Sequence, residues 1–458
     1  MRRQLTQQRA QLPRPALALV DALSRAFTKA TALRFALLVP AALLTVGHHT
    51  VANVLGTLGP LVPGDPSSYR RLFSHRSWSS WRLARLLTTW VLDHLLPDGP
   101  IFLAGDDTVA EHRGKHVYGK ARHRDPVRST HAYTAFRWGH KWVVLAVLVP
   151  FPFTRRRWAL PSLVALYRSA EESWRRQRRH KTPPELLRQL LCVLLHWFPN
   201  RRFVCAADGN FATHDLARLA AKHSTRLTYL SHFYADASLY EPPPGVVGKK
   251  SKGRPRKKGR KLPSPAEVVQ QANHPQRLNV AWYGGGHRVV EVVTGTGQWY
   301  QAGRPLVAVL WVWVHDCTAT HRDEYFFTTD VRWSATQVIE TYTGRWNLET
   351  TFQEMRSQLE LEKTRGWTER TVLRVAPCLF GLYTVVAALY VQLPARHRRG
   401  VLLQWAGKED VTFSDALTAV RRWLWVEWVF AIPGHATPFA KLSRPSQQLL
   451  LAGLTPAR

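Results

Sequence analysis

Two apolar runs that each close on an aspartate, PIFLAGD ending at Asp106 and RRFVCAAD ending at Asp208, constrain the fold of this chain more than any other feature. Runs of that length bounded by turn residues predict buried strands. A third acidic residue, Glu349, stands in YTGRWNLETTFQEMR, where the apolar spacing is helical. Side chains at the ends of buried strands project past the sheet edge, the usual place for chemistry in α/β proteins. The layout is that of a sheet-plus-helix metal site and points to an enzyme acting on phosphodiesters. For either Asp alone, a turn or helix-capping role is the commoner reading, and Asp107 is an alternative ligand to Asp106.

Around these runs the pattern predicts an α/β fold, a mixed sheet with flanking helices, interrupted by a β-rich insertion and preceded by a helical N-terminal domain. Residues 1–97 read as that helical domain, with apolar spacing of three and four, and DNA binding is its expected role. The stretch HHTVANVLGTLGPLVPGDPSSYRRLFSHRSW resembles a helix-turn-helix only loosely, and a plain bundle fits as well. Residues 98–231 supply the first part of a catalytic core, including a helix announced by Thr182, Pro183 and Glu185. Residues 232–304 break the rhythm and read as the insertion, with a hairpin bending at Gly284–Gly286. Residues 305–394 resume the core with strands PLVAVLWVWVHD and EYFFTTD and a helix capped by Ser334 and Gln337, and residues 395–458 form a C-terminal helical region able to contact DNA or a second protomer.

The charge balance names the partner. Lys and Arg number 64 against 31 Asp and Glu, a formal net charge of +33. Clustered Lys and Arg neutralise phosphates and release their counterions, so double-stranded DNA is the expected partner. A basic ribosomal or membrane-surface protein fits less well, because 45% of the residues are hydrophobic and 19 are Trp, enough to bury two or three cores. Cys192, Cys205, Cys317 and Cys378 form no CxxC pair and read as buried free thiols in a reducing compartment, in keeping with a cytoplasmic protein. No signal peptide is read at the N-terminus. The apolar stretches Leu33 to Val46 and Val375 to Leu393 are read as buried helices and not as membrane spans.

Basic residues concentrate in two places. From Lys249 onward nine of thirteen residues are basic, a solvated arm whose Arg254 and Arg256 could lie in an A·T-rich minor groove or contact phosphates nonspecifically. The segment Gly114 to Trp142 mixes Lys115, Lys120, Arg122, Arg124, Arg128 and Lys141 with aromatics just after the Asp106 strand, and it reads as tracking a DNA backbone beside the metal site. Its histidines, with His112, His116, His123 and His131, lack a recognised zinc spacing. On the Glu349 helix, Tyr342, Arg345, Glu349 and Arg356 fall within roughly 60° of one another at about 100° per residue, one polar stripe beside an apolar one of Leu348, Phe352, Met355 and Leu359. A plain salt-bridged face is the alternative, since Arg345 and Glu349 are an i,i+4 pair. Converging carboxylates repel unless a cation sits between them, and hard oxygen ligands select Mg²⁺ or Mn²⁺. Two such ions about 3.5–4 Å apart serve in-line displacement at phosphorus.

These residues together resemble the DDE transposases of bacterial insertion sequences, in the cut-and-paste group with the signature Tyr-x2-Arg-x3-Glu-x6-Lys. Tyr342, Arg345 and Glu349 match it in identity and spacing, and Arg356 stands where the pattern has Lys. The group's first Asp is followed by x-Ser or x-Thr, as Asp106 is by Thr108, and its second precedes a Gly or Arg turn, as Asp208 precedes Gly209. The resemblance covers most of residues 100 to 395 and implies an RNase H-like core with a metal triad of Asp106, Asp208 and Glu349. It further implies that Tyr342, Arg345 and Arg356 hold DNA phosphates, that Trp299 or Trp282 could stack a flipped base in a hairpin step, and that a homodimer binds the element's terminal inverted repeats, cleaves them and transfers the 3′ ends to target DNA. The alternatives are an RNase H-like structure- or damage-specific nuclease and an inactive transposase-derived DNA-binding protein.

Overall fold

The structure, a computed structural model, describes residues 1–125, 129–130, 132–244, 256–399, 408–432 and 436–456. Eleven strands among them join one sheet: β1 Ile101–Glu111, β2 Ala121–Arg124, β3 Phe136–Val149, β4 Trp158–Tyr167, β5 Phe203–Ala207, β6 Leu227–His232, β7 Leu239–Tyr240, β8 Gln276–Ala281, β9 His287–Trp299, β10 Val307–Asp316 and β11 Glu324–Thr328. Their order is β2-β3-β1-β5-β6-β11-β10-β9-β7, with β4 also on β3 and β8 on β9. Only β1–β5 and β5–β6 pair in parallel, and every other pair is antiparallel. This mixed α/β architecture is consistent with an RNase H-like fold. The segment expected as an insertion contributes β7, β8 and β9 to this same sheet, and β8 and β9 form the expected hairpin with Gly284 and Gly285 at positive φ in its bend.

The apolar run WVVLAVLV of β3 is buried from Trp142 to Val149, as a strand covered on both faces must be. One continuous core joins residues of the first hundred (Leu19, Leu37, Trp90), the strands (Val143, Trp158) and the helices Glu369–Gln392 (Phe380, Val386) and Phe413–Leu424 (Leu417, Trp423). The N-terminal helices therefore bury their apolar faces against the sheet and its covering helices. A second core lies beneath helix Ala335–Gly344, where Val338, Ile339 and Tyr342 meet Val204, Leu230, Val312 and Phe326.

Local signals act as the sequence predicts at several element starts. Thr182 with Glu185, and Ser334 with Gln337, form reciprocal capping boxes. Helix Glu369–Gln392 is long and apolar enough to cross a membrane, yet it packs on β4, and Thr384 donates to the carbonyl of Pro161 at 3.0 Å from its middle. The thiols depart from expectation: Cys205 is buried, but Cys192 and Cys317 are exposed.

The predicted single helix through Tyr342, Arg345 and Glu349 is two helices, Ala335–Gly344 and Asn347–Gln358. At the junction the backbone bonds close three residues back: Arg345 N–H to Tyr342 O at 3.0 Å, Trp346 to Thr343 at 3.1 Å, Leu348 to Arg345 at 2.9 Å and Glu349 to Trp346 at 3.0 Å. A turn of that kind winds tighter than an α-helix, so the four residues do not share one stripe. Tyr342 faces the second core while Arg345 and Glu349 face the end of β5.

Candidate active site

The site is built where two parallel strands part. Pairing of β1 with β5 runs from Ile101↔Phe203 to Gly105↔Ala207, and the next residue on each strand is acidic, Asp106 and Asp208. After Ala207 the chain turns into the short 3₁₀ segment Gly209–Phe211, and Ser231 Oγ donates to the carbonyls of Ala207 at 2.8 Å and Asp208 at 3.0 Å, fixing the backbone there. Asp106, by contrast, does not end its strand: β1 continues to Glu111 because β3 pairs with it throughout, Asp106 opposite Val144. The sequence run closes at Asp106 because only its β5 neighbour stops there.

Alternation along β1 separates the two adjacent aspartates. Asp107 turns to the opposite sheet face, where Lys141 Nζ lies 3.3 Å away. Asp106 turns toward the two-helix junction, and there Arg345 gathers all three acids: Nη1 to Asp106 Oδ2 at 2.7 Å, Nη2 to Glu349 Oε1 at 3.0 Å and Nη2 to Asp208 Oδ1 at 3.5 Å. The Arg345 side chain is 5% exposed, against 46% for Glu349, so the guanidinium plugs the floor of an acidic cup that opens at Glu349.

The Asp106 carboxyl is raised to about 8: burial pushes it up most, Arg345 pulls it down, and Asp208, Asp107 and Glu349 add to the rise. Burial also disfavours the charged form of Arg345, but Asp106 first, then Tyr342, Asp208 and Glu349, outweigh it and hold the guanidinium above its ordinary range. One guanidinium thus faces three acidic side chains, a deficit of positive charge. A divalent ion matches the deficit, and the donors are all hard carboxylate oxygens of the kind Mg²⁺ and Mn²⁺ take. Among the described residues no three His, Cys, Asp or Glu side chains are gathered closely enough to chelate an ion as they stand, because Arg345 occupies the space between these three. The residues fit the ion in chemistry and convergence, and its entry requires the guanidinium to yield.

The remaining predicted site residues are placed as follows. Arg356, half-buried on the second helix, meets Thr108 Oγ1 two residues along β1 from Asp106 and lies 3.5 Å from Glu362. Tyr342 is 1% exposed, its ring 4.3 Å from Phe326 and 4.9 Å from His232, so its ring supports Arg345 from the core. Trp299 is packed among His214, Phe233 and Phe327, and Trp282 is buried as well, so neither offers a free ring face. Lys115, Arg124 and Arg256 are exposed, and Lys120 lies over the Trp138 ring. Arg128 and Arg254 lie outside the described residues, as does most of the basic arm. His112 and His140 meet ring to ring at 4.3 Å without a third ligand group.

Two neighbours escaped the sequence reading. His232 ends β6 beside Asp208, and Glu324 opens β11, whose Phe326 pairs with His232, and lies 3.9 Å from His232 Nε2. Burial raises the Glu324 carboxyl, and Asp208 adds to the rise. The end of the RLTYLSHF strand, next to the RRFVCAAD strand, carried the available signal, since neighbouring parallel strands present their ends together.

The comparisons with known proteins bear on this geometry. No curated protein matches the chain. Among solved structures, a cryo-EM structure of the piggyBac transposase synaptic complex with hairpin DNA is similar at a TM-score of 0.40 and 10% identity, over 92% of this chain and 74% of that one, a likeness too low to carry any argument. The sequence model for the DDE superfamily endonuclease matches residues 22–289, a span that holds Asp106 and Asp208 and ends before Glu349. The third carboxylate is thus placed by geometry alone, through Arg345. With more than half of its length matched, this chain belongs to the DDE superfamily endonuclease family.

Proposed function

We propose that the protein is a metal-dependent DNA transposase: it binds the terminal inverted repeats of its element, cleaves them and transfers the 3′ ends to target DNA. The observation that carries this reading is the meeting of Asp106, Asp208 and Glu349, from two strands and a helix, on one guanidinium. In this reading those three side chains hold Mg²⁺ or Mn²⁺, which when bound supplies an activated water or 3′-hydroxyl and stabilises the leaving oxygen. The chain's own residues do the rest. Arg345, released from the carboxylates, is placed to hold a phosphate oxygen at the cut, and Arg356 beside Thr108 holds the next phosphate along. The planar fork at Arg356 keeps the positive charge that a Lys would bring while changing its hydrogen-bond geometry. Tyr342 fixes the junction from below, and the exposed Lys115 and Arg124, with the half-buried Lys120, bind DNA backbone beyond the cut. Joining two ends calls for two copies of the chain in one complex.

The experiment is cleavage of supercoiled DNA carrying the element's flanking repeats, with and without Mg²⁺ or Mn²⁺, for wild type and Glu349→Gln. Metal-dependent cuts at the repeat ends that vanish in the variant, while end binding persists, are expected. End binding by both proteins with no cutting under either metal would leave a DNA-binding protein without this chemistry.

A further inference from the structure

The ribbon formed by β2 and the start of β3 has two unlike faces. Paired residues of an antiparallel ladder share a face and successive residues alternate. Arg122 pairs with Trp138 and Arg124 with Phe136, so these four side chains lie together, and Ala121, His123, Arg137 and Gly139 form the other face. That other face is packed: His123 is buried edge-on to Tyr167 with centroids 5.8 Å apart, and Arg137 pairs with Asp125 at 2.6 Å. The first face is open, with Phe136 45% and Trp138 55% exposed. Its cations sit diagonally over the rings, the Arg122 guanidinium 3.8 Å from the Phe136 centroid and Lys120 Nζ 5.4 Å from that of Trp138. No carboxylate pairs with Lys120, Arg122 or Arg124 among the described residues.

We propose that this face is a stacking platform for unpaired bases of a DNA strand that passes through the carboxylate centre, an inference that rests on the DNA-cleaving reading above. Asp106 pairs with Val144, and even-numbered residues of β3 share its side of the sheet, so Trp138 and Phe136 open on the same face as the acids. Six residues of β3 separate Trp138 from Val144, about 20 Å at ~3.4 Å per residue. That is roughly six steps of a B-form strand, and Arg356 at Thr108 lies on the way. Exposed rings interleaved with cations that have no carboxylate partner suit single-stranded nucleic acid, because every base has a face to stack and every nucleotide a phosphate to neutralise. A paired duplex hides its base faces and leaves the rings without a partner. A protein covering the rings would have to desolvate three cations that have no acid beside them.

The test is fluorescence anisotropy on the full chain with two probes of about 15 nucleotides, oligothymidylate and a mixed-sequence duplex. The proteins are wild type, the double variant Phe136→Ala/Trp138→Ala and the conservative Trp138→Phe, each checked for an unchanged melting temperature. The double variant is expected to lose on the order of tenfold in oligothymidylate affinity per ring, with less than about a twofold change on duplex, where affinity rests on phosphates. Trp138→Phe should restore most of its share. Equal losses on both probes, or no loss on either while wild type binds, overturn the platform and leave the DNA reading standing. Failure of wild type to bind either probe removes the DNA reading and the platform together.

Discussion

The carboxylate centre and the β2–β3 ribbon are built on neighbouring strands of one sheet, yet they handle charge in opposite ways. At the centre a guanidinium 5% exposed is ringed by three acids, and its charge is consumed within the protein. At the ribbon Lys120 and Arg122 lie over exposed rings with Arg124 on the same face, and no acid pairs with any of the three among the described residues. A net charge of +33 therefore does not translate evenly into nucleic-acid contacts. A cation ringed by acids positions them until it is released, whereas cations without a carboxylate are open to phosphates from the start. If that division is real, substitutions at the two regions fail in different assays.

The largest separation is expected for chemistry. Asp208→Asn should lower metal-dependent DNA cleavage by on the order of 10³-fold or more, because a ligand to the ions contributes several kcal/mol at the transition state. Its end binding should change little. A ribbon substitution that abolished cleavage as completely would erase the distinction.

Next in size is the stability of the centre. Arg345→Met keeps much of the side-chain volume and leaves the buried Asp106 facing Asp208 and the open Glu349 without a cation, which is expected to destabilise the fold by about 3 kcal/mol in metal-free buffer. Added Mn²⁺ should recover much of that loss, since the ion then binds the folded state without having to displace a guanidinium. The readout is the melting temperature with and without metal. An unchanged melting temperature in chelator would show that the ion pairs at 2.7 and 3.0 Å contribute nothing to the fold.

The comparison also explains what the sequence could and could not reveal. PIFLAGD and RRFVCAAD were legible as strands because apolar runs and turn residues are local, and the capping boxes at Thr182 and Ser334 were legible for the same reason. That β1 runs through Asp106 was not, because its continuation depends on β3, more than thirty residues away. The tight turn at Arg345 hid the division of labour in the signature: spacing alone put Tyr342 beside Arg345 on a polar stripe, whereas the junction sends its ring into the second core. Trp299 misled in the same way, since an aromatic that packs and one that stacks a base look alike in sequence. The exposed pair Phe136 and Trp138 gained meaning only from the ladder that sets the Lys and Arg side chains over them.

Between the two regions lie His112 and His140, with His123 beneath the ribbon, and they offer a test by pH. Burial pushes each imidazole down to about 4. The folded value is thus below the unfolded one of about 6.5, so the fold favours the neutral ring. Their contribution is fully present above about pH 6.5 and is lost as pH falls from there toward 4. Near pH 5 each should cost on the order of 1–2 kcal/mol, read as a falling melting temperature that flattens in His140→Gln. A melting temperature constant across that window would mean that these rings are not held neutral, and the packed underside that gives the ribbon its two faces would be in doubt.

The smallest effect is the most direct check on the ribbon. Arg122→Ala/Arg124→Ala removes two cations that pair with no carboxylate among the described residues, so the melting temperature should move by no more than about 0.5 kcal/mol would produce. Each phosphate contact contributes about 0.9 to the slope of log affinity against log salt for duplex DNA, or about 0.7 for a single strand. The double variant should therefore flatten that slope by between about 1.4 and 1.8. The single-strand figure alone, together with the ring variants' selective loss on oligothymidylate, would place an unpaired strand on this face. A slope equal to wild type, with stability lost instead, would mean that these arginines are structural like Arg345, and the contrast between the two regions would be one of exposure and not of use.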